Sequence, residues 1–426
     1  MTEASSAVLA LLVLGWAVVS APLARVNITG PLVFTVAGYV LANPSWGAVP
    51  IDVETPSAHL VTEVTLALLL FSDAARVNVA SLRRDVAVPG RLLGIGLPLC
   101  LVLGALAAGW LLEGLSWALA CFVAATVAPT DAALSAQVIN DERIPMRLRR
   151  ALNVESGLND GIVTPVVAFT LVVAASQLGV GEHHGSAEGS ALLELALGVG
   201  IGATVGLASA ALVTTSSRRS WIIPGGRRIA TLAASLSSFA LALALGGNGF
   251  IAAFVAGIVF GACLDKDVVE LDEAVELPEL LGEVLTLVVW FLFGAALVPV
   301  VLSHVDVPTL GFALLSLTVL RMLPVTLALV GSGLDGPSVL FVGWFGPRGL
   351  ASIVFALLAI EELGETAVVK EAVAAVALTV LLSVVLHGVS AGPLGSRYVR
   401  LERGEADRDA PVRSRRLGRH QAGARP

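Results

Sequence analysis

Charge is what this sequence has least of. Charged residues make up 14% of its 426 positions and hydrophobic residues 56%, whereas an ordinary soluble domain carries about 25% charged residues. A chain this apolar along its whole length is a polytopic membrane protein, and a soluble domain held by a single anchor is excluded. Cysteine is scarce too. Cys100, Cys121 and Cys263 all fall in apolar segments with no CxxC pair, so they read as small core residues and not as a disulfide framework or metal site. The histidines are His59, His183, His184, His304, His387 and His420. They fall at segment ends, in loops or in the tail and read as solvated. No HExxH, no GxSxG and no paired catalytic histidine is present, so no enzymatic centre is expected. A cleavable signal is not expected either: MTEASS carries Glu3 and no basic residue, although Ser20-Ala21-Pro22-Leu23-Ala24 loosely resembles a cleavage site. No cofactor, nucleotide-binding domain or nucleic-acid partner is implied.

What is present is a succession of apolar spans near the roughly 20 residues a helix needs to cross a bilayer. The expectation is an all-α fold of about thirteen transmembrane helices, over 6–24, 27–43, 58–75, 92–112, 115–139, 150–176, 191–213, 229–246, 248–264, 280–302, 308–331, 337–360 and 367–390. Basic residues test that count. With the N-terminus outside, all but three of the 26 lysines and arginines fall in loops or a tail on the cytoplasmic side, the bias that orients inner-membrane proteins. The exceptions are Lys370 in an outer loop and Arg321 and Arg348 inside spans. A wrong span count would scramble this pattern. A multi-pass cell (inner) membrane protein with a cytoplasmic C-terminus is therefore expected. Residues 391–426 form an Arg-rich tail expected to be disordered and close to anionic lipid.

Two spans are interrupted by proline. Span five breaks at Ala128-Pro129-Thr130-Asp131 and span twelve at Phe345-Gly346-Pro347-Arg348-Gly349. Proline removes a backbone donor and clashes with the preceding turn. Such breaks survive at membrane depth only where protein or a wet cavity satisfies the freed groups. An odd offset of spans separates the two, so the helices run in opposite directions. Paired breaks in opposed halves are the signature of an inverted-repeat secondary transporter. Gly198, Gly202 and Gly206 form a ridge suited to close helix packing, with a subunit interface as the alternative. The acidic stretch from Asp265 to Glu279 reads as a solvated linker.

The chemistry concentrates between Ala125 and Pro165. In span six, Glu155 and Asn159 are four apart, as are Ser156 and Asp160, so the pairs share adjoining helix faces. A carboxylate, a hydroxyl, an amide and a second carboxylate are hard oxygen donors suited to a small hard cation. Thr130 and Asp131 follow Pro129 at what should be the first turn of a second half-helix, where the dipole favours an anion. Arg348 holds the matching place in span twelve. Arg321 in span eleven needs a buried partner, and Glu155 is the best match in charge.

NVESGLND, with APTD upstream and GPRG downstream, resembles the monovalent cation/proton antiporter superfamily, and looks most like the sodium/proton exchangers of the NhaP branch. The resemblance covers nearly the whole chain. It implies an NhaA-like antiporter fold with two crossing discontinuous helices, spans five and twelve. It implies that Asp160 exchanges proton for cation, with Asp131, Ser156 and Thr130 (through its backbone carbonyl) helping to hold Na+. Asn159 fills the place of a second aspartate found in electrogenic relatives. Glu155 is implied to pair with Arg321, and Arg348 to be the arginine of the second crossing helix. Asp73 in LLLFSDA is the best match to a third carboxylate near the ion, with Glu63 second. Ala132 stands where many relatives have proline, which leaves the local bend open.

The resemblance further implies an ion-translocating core of 92–176 and 308–390 moving against a dimerising scaffold of 1–91 and 191–302, in a homodimer. The function it implies is electroneutral exchange of Na+ (or Li+) for a proton. Exchange of K+ is the alternative, and a cation channel, which would use rings of carbonyls or charges, is the reading from another class.

Overall fold

An apolar backbone with no water around it must hydrogen-bond to itself, and the helix does so locally. The computed structural model describes residues 3–25, 28–43, 46–47, 55–77, 87–180 and 187–409, and every regular element among them is helical. The helices are α1 (Glu3–Arg25), α2 (Gly30–Leu41), α3 (Pro56–Ala75), α4 (Ala87–Leu111), α5 (Trp117–Val127), α6 (Ala136–Ile139), α7 (Met146–Leu178), α8 (Ala187–Arg218), α9 (Pro224–Ala244) and α10 (Gly249–Cys263). They continue as α11 (Leu271–His304), α12 (Val307–Leu317), α13 (Val319–Ala328), α14 (Gly336–Trp344), α15 (Leu350–Leu363) and α16 (Ala367–Asp409). Every span expected from the sequence has a helical counterpart. Helix starts follow local chemistry: Ser116 caps α5 through the Leu119 N–H at 3.3 Å, Asn248 caps α10 through Ile251 N–H at 3.0 Å, and Asp306 and Thr309 form a capping box at α12.

The breaks are more numerous than the sequence shows. α5 stops at Val127, and beyond it only turns and the short α6 remain of span five. Asp131 thus does not head a half-helix of its own. Span twelve divides into α14 and α15 around residues 345–349. Span eleven, expected to be continuous, is interrupted at Thr318 (φ −116°, ψ −92°). The Ser316 carbonyl there is taken by Arg348 at 3.3 Å. α7 runs unbroken through Pro165, but Thr164 Oγ1 turns back onto the Asp160 carbonyl at 2.7 Å, a bond that bends helices.

Several expectations need correction. The stretch 265–279 is not a free linker. α11 begins within it at Leu271, and its acids clamp neighbouring helix ends. Arg218 hydrogen-bonds Asp265 and holds its carboxyl below the usual carboxylate range. Glu273 pairs with Arg227 and Arg228, Glu276 with Arg228, and Glu279 with Arg76. The tail expected to be disordered from residue 391 begins as helix, because α16 continues through Pro393 to Asp409. There Tyr398 is buried against Phe341, with ring centroids 4.5 Å apart, and its hydroxyl lies 2.8 Å from that of Ser338. The rest of the tail, 410–426, lies outside the described residues. Cys263 is exposed at the end of α10, and His387 is fully buried inside α16. His183, His184 and His420 fall outside the described residues.

The glycine ridge of α8 packs within the chain, along α10. A β-carbon at Gly198 would lie 2.8 Å from the Asn248 carbonyl oxygen, one at Gly206 2.5 Å from that of Ala256, and one at Gly202 would collide with Ala252. α10 in turn packs on α3, and α3 on α11. Gly202→Val should overpack this seam at a cost of about 1–3 kcal/mol. The expected readout is a lower melting temperature of the purified protein in detergent, with Gly200→Val, which has open space beside it, unchanged.

Candidate functional site

The two proline breaks meet. The Asp131 N–H donates to the Pro347 carbonyl at 2.8 Å, and Ser352 Oγ donates to the Thr126 carbonyl at 2.7 Å. Each break also sends a charge to the other's half-helix. Asp131 Oδ2 accepts the N–H of Leu350, the first residue of α15, at 3.2 Å. Its Oδ1 accepts from Ala133 and Leu134 at 2.8 and 3.4 Å. The Asp131 carboxyl therefore sits where the dipole of α15 is positive. Arg348, buried to 1% exposure, reaches the opposite way. It donates to the Ala128 carbonyl that closes α5 and to that of Pro129 at 3.3 Å. A positive charge thus sits where the dipole of α5 is negative.

Glycines make room for these charges. A β-carbon at Gly349 would collide with the Asp131 carboxylate, and one at Gly346 would lie 2.6 Å from Arg321 Nε. Arg321 itself forms a two-pronged ion pair with Glu155, Nη1 to Oε1 at 2.5 Å and Nη2 to Oε2 at 2.8 Å, with both side chains 3% exposed. A charge pair this deep is sustained by geometry, since losing either member strands the other.

α7 presents its polar face to the crossing. Thr130 Oγ1 lies 2.9 Å from Ser156 Oγ and accepts from Asn159 Nδ2 at 2.8 Å. Both Thr130 and Asn159 are buried, and Asn159 Oδ1 has no hydrogen-bond partner among the described residues. Asp160 follows on the same helix. Its carboxylate has no hydrogen bond or ion pair among the described residues, and the charges acting on it are those of Asp131 and Asp73. A cavity of about 830 Å³ reaches it, lined also by Asp73, Thr130, Asp131 and Ser156. Asp73, Asp131 and Asp160 share this space without converging as a three-carboxylate metal site among the described residues. Glu63 does not line it; it lies near His59, Glu361 and Glu362, where His59 and Glu361 pair at 2.7 Å.

The cavity runs to the end of the bundle where Asn140, Arg76 and Glu279 lie. Arg76 and Glu279 are paired there, and Glu283 lines the same passage. Glu283 carried a signal in the sequence, as an acid inside the span expected over 280–302. Nothing in the sequence pointed to the pairing of Arg76 with Glu279, which lie 203 positions apart.

Two opposed broken helices, crossed beside a hydroxyl–amide–carboxylate cluster and reached by a cavity lined with acids, give the chain the architecture seen in inverted-repeat membrane proteins with a polar site at the crossing. The chain belongs to the sodium/hydrogen exchanger, transmembrane family, whose model matches residues 8–397. It is similar to the K(+)/H(+) antiporter NhaP of Alkalimonas amylolytica, 25% identical over 328 residues that cover 76% of this chain and 55% of the relative. It is also similar to the K(+)/H(+) antiporter NhaP2 of Shewanella sp. (strain MR-4), 26% identical over 334 residues covering 78% and 56%. The chain thus spans about half the length of these curated relatives. The sodium proton antiporter MjNhaP1 from Methanocaldococcus jannaschii, solved at pH 8, shares the fold, with a TM-score of 0.73 over 93% of this chain and 98% of that one at 20% identity.

The ion pair at the centre generates a prediction. Arg321→Met should strand the Glu155 charge and cost about 3–5 kcal/mol, seen as a large fall in melting temperature in detergent. The double variant Glu155→Leu/Arg321→Met should recover most of that loss. A single variant as stable as the parent would show that the pair carries no stability.

Proposed function

We propose that this chain is an electroneutral antiporter that exchanges one proton for one monovalent cation at Asp160, with Na+ or Li+ as the cation. The observation that carries this reading is the unequal treatment of the acids. Asp131 is tied to three backbone N–H groups and Glu155 to Arg321. Asp160 alone among these faces the cavity with no fixed partner. A carboxylate without a partner is free to take either a proton or a cation, and the two compete for it.

Asn159 supports the one-for-one count. Its amide is fixed on Thr130 and carries no titratable charge, so the loaded site has the same net charge with a proton as with a monovalent cation. The Thr130 backbone carbonyl, the Ser156 hydroxyl and the Asp131 carboxylate stand as further oxygen ligands, and Asp73 draws cations along the cavity. The core of 92–176 and 308–390 then carries the occupied site past the scaffold of 1–91 and 191–302, in a homodimer. The basic loops support an orientation with the end that holds Arg76 and Asn140 in the cytoplasm, the N-terminus outside the cell membrane and the C-terminus in the cytoplasm; in that orientation the cavity faces inward.

Exchange of K+ is a second reading, supported by the K(+)/H(+) antiporter names of the Alkalimonas and Shewanella relatives. The sodium reading has its own support in the Na(+)/H(+) antiporter of Schizosaccharomyces pombe, 25% identical over 283 residues. In everted vesicles carrying a pH gradient, adding Na+ or K+ should collapse the gradient, and the more effective ion identifies the cation. Asp160→Asn should reduce the response to that of transporter-free vesicles; undiminished exchange would remove Asp160 from its role. Clamping the membrane potential should leave the rate unchanged, and a rate that follows potential would overturn the one-for-one count.

A further inference from the structure

Among the buried polar side chains of α16 are Ser383 and His387, which the exchange reading does not use. Four residues apart, they share one helix face, and that face lies against the break between α14 and α15. Each fastens one side of the break. His387 Nε2 lies 2.9 Å from the carbonyl oxygen of Trp344, the last residue of α14. Ser383 Oγ accepts the backbone N–H of Arg348 at 2.7 Å. The imidazole also stacks on the Trp344 ring, with centroids 5.2 Å apart and planes inclined at 31°.

A carbonyl oxygen only accepts, so the hydrogen shared with Trp344 is on Nε2. Nδ1 lies 3.2 Å from the Ser383 hydroxyl and 3.0 Å from the Ser383 carbonyl. Both sides of the break are thereby tied to α16: Arg348 N–H to Ser383 Oγ, and His387 Nε2–H to the Trp344 carbonyl.

We propose that His387 and Ser383 are positioning residues that splint the broken span twelve. They hold Arg348 against the carbonyls of α5 while the core moves. Neither touches the cation. Their loss therefore slows turnover and leaves the apparent affinity for the cation in place. The turnover arm rests on the exchange function proposed above; the structural arm does not.

The test uses the full-length protein and three variants, His387→Leu, His387→Gln and Ser383→Ala. Hydrogen–deuterium exchange in detergent is followed at the peptide covering 345–350, and transport rate and KM for the cation are measured in everted vesicles per folded transporter. His387→Leu and Ser383→Ala should speed deuterium uptake at 345–350 by roughly tenfold, the loss of one buried hydrogen bond. Turnover should fall by a similar factor, with KM within about twofold. His387→Gln, whose amide N–H can reach the Trp344 carbonyl, should restore both. Uptake unchanged in His387→Leu would overturn the splint, as would a Gln variant as impaired as the Leu variant or a change in KM with turnover intact. If the parent protein exchanges no cation for protons, the functional reading fails and the deuterium arm alone decides the splint.

Discussion

Two helices that stop halfway through an apolar interior leave ends whose carbonyls and N–H groups have no helical partner. Each buried group left unpaired costs about 1–3 kcal/mol. The two breaks are set beside each other in opposite orientation, so the free ends of one face the side chains of the other. Asp131 serves the N-terminus of α15 and Arg348 serves the C-terminus of α5. Neither break could exist alone. The glycines of GPRG belong to the same constraint, since a side chain at Gly349 would displace the Asp131 carboxylate.

That arrangement sorts the acids. An acid held by backbone N–H groups or by a guanidinium is committed to its place. Asp131 and Glu155 are so held, and both are parts of the frame. Asp160 sits one turn beyond Glu155 on the same helix and shares neither commitment. The distinction lies in the partners each side chain finds, because residue type is the same or nearly so. Asn159, between them, ties α7 to Thr130 without adding charge.

The other side of the cavity is built differently. α3, α8, α10 and α11 approach closely through small residues, and with α9 they carry ionic contacts at one end, where Arg76, Arg218, Arg227 and Arg228 meet the acids of 265–279. These half-buried pairs join helix ends far apart in sequence. Asp73 and Arg76 lie at the edge of this half and face the cavity. One wall of the passage is thus a tightly packed helical layer and the other is the polar crossing.

Much of this was legible in the sequence, because the membrane leaves few alternatives. Apolar runs of crossing length set the helices, prolines set two of the breaks, and the arginine distribution orders the loops. A four-residue spacing put Glu155, Ser156, Asn159 and Asp160 on adjoining faces. Spacing could not show the interruption at Thr318, where the Ser316 carbonyl is answered by an arginine 32 positions away. Nor could it show that residues 391–409 continue as helix, which depends on Tyr398 finding Phe341 and Ser338. His387 reads as a solvated side chain until the fold brings Trp344 and Ser383 to its two ring nitrogens. The sequence by itself determined which residues are polar inside the membrane and on which helix each lies. Only the tertiary structure decided which of them are paired and which are left free, because pairing is a matter of distance between segments far apart in the chain.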